Sequence, residues 1–442
     1  MTDGGAAGIS RRPLVGLAAL FMGFAVYGGL VPFDFKRLAI HDAVAQFAAI
    51  PYVPVTQASK SDLLTNVLLF VPIGFFLLGA LAAHSLRVAL LVWPFVAAAG
   101  FVFAAAIEFG QIFVAGRTAS WNDVAAETAG AALGGAFWLL AGPRLATWVR
   151  AARHSPAPAD RLYRILGVYG ALWLVLGLLP FDYTIRPQEL AEKFRAGRIL
   201  LQPFAPETTA ADVVRTFIMA VPIGAFGFLW GRHAGHRHPA PLGLAIGVAA
   251  TAVVELAQLL AMSRTADVTD ILVNIAGVGV GVWLGLTAGR RAAAPPGRAK
   301  IWPLAALVAW IVLLTIRHWS PFDFVADGAT VRSRVDLMLR VPFHSYYWGM
   351  PINAFAEAAS KFLLGVPVGA LLQWSWLPAG ARERRLLAIG IGLFSGMLFL
   401  AIEIGQVLVP SRVPDQTDIY IGLAGSLVGA QVVRLVGQSE RS

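Results

Sequence analysis

Glu108, Gln111, Arg117 and Asp123 lie in "IEFGQIFVAGRTASWNDVAAETAGAALGG" (Ile107 to Gly135), a stretch otherwise suited to hydrocarbon. On a helix, Glu108 and Gln111 are one turn apart and share a face. Arg117 follows a Gly and is close enough in the chain to fold back on that face. An ionised Glu inside a bilayer costs about 2.5–3.5 kcal/mol on insertion scales, and a bidentate guanidinium offsets part of that. Three chemistries fit such a set: an ion pair tying the helix end to the loop, a polar pocket for a headgroup or sugar, and proton transfer by Glu.

The same set recurs twice, as Glu255, Gln258, Arg264 and Asp270, and as Glu403, Gln406, Arg412 and Asp418. Each is followed by a glycine pair: Gly130/Gly134, Gly277/Gly281 and Gly425/Gly429. The internal spacings are 3, 6, 6, 7 and 4 residues in all three copies. Small-x-x-x-small pairs let membrane helices approach closely. Ser120, Asp267 and Asp415 stand three residues before Asp123, Asp270 and Asp418, which is capping-box spacing. The last Asp therefore also fits the positive N-terminus of the helix that follows.

Membrane helices must position these residues. The chain has 442 residues, of which 57% are hydrophobic and 14% charged, and its mean hydropathy is +0.69. Soluble domains carry about 25% charge. About twelve apolar windows of spanning length recur, the last over about 418–436. The fold class expected is all-α: a polytopic membrane protein of three parallel four-helix repeats, over 1–150, 151–297 and 298–442. Arg and Lys concentrate in the short segments 142–161, 231–239, 289–300 and 378–385, which places both termini in the cytoplasm by the positive-inside rule. The formal charge of +10 is then a topology signal, and no nucleic-acid partner is expected. No cysteine is present, so disulfide and thiol chemistry are excluded.

Each repeat opens with Pro-Phe-Asp: "VPFDF" (Pro32 to Asp34), "LPFDY" (Pro180 to Asp182) and "SPFDF" (Pro321 to Asp323). This triplet is expected to end the first helix and begin a more polar connector. A helix with Pro-x-Gly follows, at Pro72/Gly74, Pro222/Gly224 and Pro367/Gly369. In the third connector "RVPFHSYYWGMP" (Arg340 to Pro351) suits an interfacial belt. No metal-ligand spacing, Ser-His-Asp elbow or P-loop appears, and "HAGHRH" (His233 to His238) reads as part of a basic loop. No metal or cofactor is expected.

"NVLLFVPIGF" (Asn66 to Phe75), with the Glu-x-x-Gln, Arg, Asp and Gly-x-x-x-Gly string, resembles the VanZ-like family over nearly the whole chain, as three tandem copies. The family pattern adds one Asn before the Pro-x-Gly and another after the Asp. Here the first Asn is Asn66 but Thr216 and Lys361 in the later copies, and the second is Asn274 but Glu127 and Gly422 elsewhere. If those amides serve a site, the three sites are not equivalent. The resemblance implies a bacterial plasma-membrane protein of the cell envelope, in a family named for a protein associated with teicoplanin resistance. It implies a membrane lipid or lipid-linked glycan as partner, and it does not imply that this chain confers resistance. A binding protein is the first expectation; a transporter or flippase, and an enzyme using Glu as acid or base, are the alternatives.

Overall fold

The computed structural model describes residues 11–52, 57–82, 85–154, 158–179, 182–206, 208–288, 301–347, 351–376 and 380–437. Pro180, Phe181, the basic segment 289–300 and Trp348 to Met350 lie outside the described residues. Two compact units form, one of residues 1–151 with 343–352, the other of 152–342 with 353–442.

The first unit contains α1 (Arg11–Leu30), the short α2 (Ile40–Ala48), α3 (Gln57–Ala82), α4 (Leu86–Gln111) and α5 (Trp121–His154). The second runs through α6 (Pro158–Leu178), α7 (Pro187–Arg195), α8 (Ala210–His233), α9 (Pro239–Leu260) and α10 (Val268–Ala288). It continues with α11 (Ile301–Trp319) and α12 (Gly328–Met338). Beyond α13 (His344–Tyr347), which belongs to the first unit, come α14 (Pro351–Ser375), α15 (Ala381–Val407) and α16 (Gln416–Gly437). One plan thus appears three times: a long helix, a connector with a short helix, then three long helices.

Among the described residues, eleven helices are apolar enough and long enough to cross a bilayer. The expected twelfth span corresponds to α16, a helix of 22 residues. On α4, Leu91, Phe95 and Val102 are exposed, whereas Ile107, Glu108 and Gln111 are buried. That is the pattern of a helix whose apolar face meets lipid and whose polar groups turn inward. The protein is an all-α, multi-pass membrane protein.

Glycine decides the central contact of each repeat. A Cβ at Gly74 would stand 1.9 Å from the Ala131 carbonyl oxygen, one at Gly224 2.0 Å from that of Val278, and one at Gly369 1.7 Å from that of Ser426. In return, a Cβ at Gly134, Gly281 or Gly429 would come within 2.0, 1.9 and 1.9 Å of the carbonyls of Val71, Val221 and Val366. The Pro-x-Gly helix and the Gly-x-x-x-Gly helix therefore touch backbone to backbone, as the small-residue spacing predicts. Pro72, Pro222 and Pro367 lie inside continuous helices.

At the Pro-Phe-Asp turns, Phe33 and Phe322 adopt left-handed backbone conformations, with φ of 63° and 67°. A bulky side chain rarely accepts that region. Here it reverses the chain at a helix end.

Candidate functional site

In each repeat the Glu lies in the last turn and a half of a long helix, and the chain then loops to the following helix. In the first repeat the Glu108 Oε2 accepts from the Ser120 backbone N–H at 3.0 Å. In the third, the Glu403 Oε2 accepts from the Asp415 N–H at 3.0 Å, and the Gln406 Nε2 donates to its other oxygen at 2.8 Å. Ser120 and Asp415 hold the same register, twelve residues after their glutamates. A carboxylate thus satisfies a donor that the start of the next helix would otherwise leave orphaned.

Each arginine Nε donates to a carbonyl at the end of the repeat's first helix. Arg117 donates from Nε to the Val31 carbonyl at 2.9 Å and from Nη2 to that of Gly28. Arg264 Nε donates to the Leu179 carbonyl at 3.0 Å, and Arg412 Nε to that of Ser320 at 2.7 Å. All three Nε acceptors lie three residues before the Asp of Pro-Phe-Asp. The role these bonds give to Arg is to fasten the C-terminal carbonyls of the repeat's first helix, where a cation also complements the helix dipole. Neither Arg264 nor Arg412 forms an ion pair with its glutamate among the described residues. Burial, and then the neighbouring Arg215, hold the Arg264 guanidinium below its usual range.

Asp123, Asp270 and Asp418 each join the Pro-x-Gly helix. Asn66 Nδ2 donates to Asp123 at 2.7 Å, Thr216 Oγ1 to Asp270 at 3.1 Å, and Lys361 Nζ to Asp418 at 2.6 Å. The position where the family Asn survives only once is thus a donor to the same carboxylate in every repeat. In the first repeat Ser120 caps the helix, its Oγ accepting from the Asp123 N–H at 3.2 Å and donating to Asp123 Oδ2 at 2.7 Å, while Glu108 takes the Ser120 N–H that a capping box would give to Asp123. In the later copies Asp267 and Asp415 cap instead, accepting from the backbone N–H of Thr269 and Thr417 at 2.7 and 2.8 Å.

Two cations that sequence reasoning missed complete the later copies. Lys193 on α7 donates to the carbonyls of Gln258, Leu259 and Ala261. Arg334 on α12 donates to those of Gln406, Val407 and Val409, among others. Both cap the C-terminus of the helix that carries the Glu. Each stands eleven residues after the Asp of Pro-Phe-Asp, where the first repeat has Ala45.

The surroundings of the three glutamates differ. In the third repeat a Cβ at Gly422 would meet the Phe399 ring at 2.6 Å, so the aromatic ring fills the space beside Glu403. The corresponding pairs are Thr251 with Asn274 in the second repeat and Ala104 with Glu127 in the first. Glu127 is itself buried, and its Oε2 has no hydrogen-bond partner. In the second repeat the set opens into a cavity, about 450 Å³ in volume, lined by Glu255, Gln258, Arg264, Asp270 and Asn274 together with Arg215, Arg317 and Glu357. Among the described residues the side chains of Glu255, Gln258 and Asn274 make no hydrogen bond. Gln111 in the first repeat is buried without a side-chain bond of its own. No group of three or more His, Cys, Asp or Glu able to hold a metal occurs among the described residues.

A family model described as VanZ/LLP1 matches the chain three times, over residues 18–142, 166–289 and 304–437. No curated protein and no solved structure matches it.

Proposed function

Because the chain belongs to the VanZ/LLP1 family, with three copies covering most of its length, we propose that it is a binding protein of the bacterial cell envelope. Its ligand is a lipid-linked or surface glycan component, held by the Glu/Gln/Arg/Asp set of the second repeat. One observation carries this: the cavity of about 450 Å³ where Glu255, Gln258 and Asn274 have no protein partners. Buried polar groups are ordinarily paired, so this wall is suited to the hydroxyls of a bound molecule.

The basic segments place both termini in the cytoplasm of the plasma membrane, and four helices per repeat give all three polar sets one orientation, toward the opposite side. The cysteine-free chain makes this checkable: a Ser263→Cys variant should react with an impermeant thiol reagent from the non-cytoplasmic side alone.

The binding test is native mass spectrometry of protein purified in its own lipid. A bound ligand is expected on the wild type, on Glu108→Gln and on Glu403→Gln, and is expected to be lost from Glu255→Gln combined with Asn274→Leu. A wild type without ligand, or a double variant that retains it, would overturn the proposal.

A further inference from the structure

The cavity of the second repeat has two unlike walls. One, from α9, α10 and the loop between them, supplies Glu255, Gln258, Arg264, Asp270 and Asn274; across from it stand Arg317 of α11 and Glu357 and Ser360 of α14. Arg317 and Arg215 also line an adjoining crevice of about 120 Å³, whose other walls include Val214, Ile218, Trp310 and Leu314. A polar chamber and an apolar slot thus share two guanidiniums.

Arg317 is the unusual member. Its counterparts, six residues before the Asp of Pro-Phe-Asp, are Gly28 and Leu176. It forms no ion pair among the described residues, and its Nε is buried without a hydrogen-bond partner. Of the charges beside it, Glu357 pairs with Lys361 at 2.8 Å and Arg215 with Asp212 at 3.4 Å. A guanidinium with unused donors inside a membrane protein is costly. Its fork matches the oxygens of a phosphate better than any other common group.

We infer that Arg317, with Arg215, is the phosphate subsite for an amphiphile whose hydroxylated headgroup occupies the polar chamber and whose chain enters the apolar slot. This rests on the binding function proposed above and adds the ligand's chemical class. Glu255, Gln258 and Asn274 take the headgroup hydroxyls, and Trp310 and Leu314 take the first methylenes of the chain.

Calorimetric titration of the full chain in detergent tests it with three probes: dihexanoyl phosphatidylglycerol, dihexanoylglycerol and inorganic phosphate. The phosphatidylglycerol should bind at least about tenfold more tightly than either of the others, since one charge-assisted contact to phosphate is worth roughly that factor. Arg317→Gln should erase most of that preference, and Arg317→Lys, which keeps the charge and guards against a folding defect, should retain part of it. Equal binding of phosphatidylglycerol and dihexanoylglycerol would overturn the phosphate subsite, as would an Arg317→Gln chain that binds like the wild type. Inorganic phosphate binding as tightly as the lipid would overturn the amphiphile. If the ligand found by native mass spectrometry contains no phosphorus, this inference fails while the binding function stands; if no ligand is found at all, both fail.

Discussion

Glu255 and Glu403 occupy the same place in the same motif, within one compact unit, and meet opposite fates. Glu403 accepts from the Asp415 amide and from Gln406 and has Phe399 packed beside it. Glu255 has neither bond and faces an open cavity. The repeated string does not separate the two cases; residues outside it do. Phe399 packs on Gly422 in the third repeat, whereas Asn274, in the place of Gly422, lines the cavity of the second. A repeated polar set in a membrane protein can therefore serve as scaffold in one copy and as site in another.

The largest expected effect tests the scaffold side. Lys361 holds Asp418, which is only 5% exposed, so Lys361→Ala removes a cation from a buried carboxylate and should cost about 3 kcal/mol. The equivalent Thr216→Ala removes one neutral hydrogen bond and should cost about 0.5–1.5 kcal/mol. Unfolding free energies in mixed micelles measure both. Similar losses would mean that the third repeat is no more dependent on its internal pairing than the second.

A smaller effect is expected from exchanging the plugs. In the second repeat, Asn274→Cys should react readily with a small thiol reagent, and adding Thr251→Phe should slow the reaction by roughly tenfold, as accessibility governs thiol reactivity. In the third, Gly422→Cys combined with Phe399→Thr should become reactive, at a stability cost of about 3 kcal/mol for the lost aromatic packing. An unreactive third repeat after removal of Phe399 would show that other residues hold it shut.

Much of this architecture was legible in the sequence because hydropathy and glycine spacing act locally. The Gly130/Gly134 type of pair needs a close neighbour wherever it occurs, and the neighbour proved to be the Pro-x-Gly helix. The partner of Arg117 was not legible in the same way. Proximity along the chain pointed to Glu108, with which Arg117 does interact electrostatically; the carbonyls at the end of α1 that take its hydrogen bonds are distant in sequence and become neighbours only on folding. Asn66, Thr216 and Lys361 look like departures from a pattern and prove to be three donors to one carboxylate. Lys193 and Arg334 did leave a signal, a cation at a fixed distance from Pro-Phe-Asp, but Ala45 in the first repeat breaks it. The size exchange between Phe399/Gly422 and Thr251/Asn274 links residues on different helices, which spacing along one helix cannot reveal.

The smallest effect concerns how the third repeat positions its capping cation. Arg334 is carried by α12, whose N-cap Asp327 accepts from the backbone N–H and the hydroxyl of Thr330, both at 2.9 Å. Those bonds favour the carboxylate and hold its pKa below the ordinary 3.8. The sign follows from linkage: a depressed acid stabilises the fold above its unfolded pKa and loses that contribution as pH falls through the folded value. Deuterium uptake in the first turn of α12, corrected for intrinsic exchange, should therefore stay low from neutral pH down to about 4 and rise only below that. Asp327→Ala should show the raised uptake at every pH. In α7 the N-cap Arg186 makes no side-chain capping bond, so the second repeat presents Lys193 from a helix without this device. Wild-type uptake in α12 that matches Asp327→Ala at neutral pH would show that the cap does not steady the helix carrying Arg334, and the two repeats would then hold their cations equally loosely.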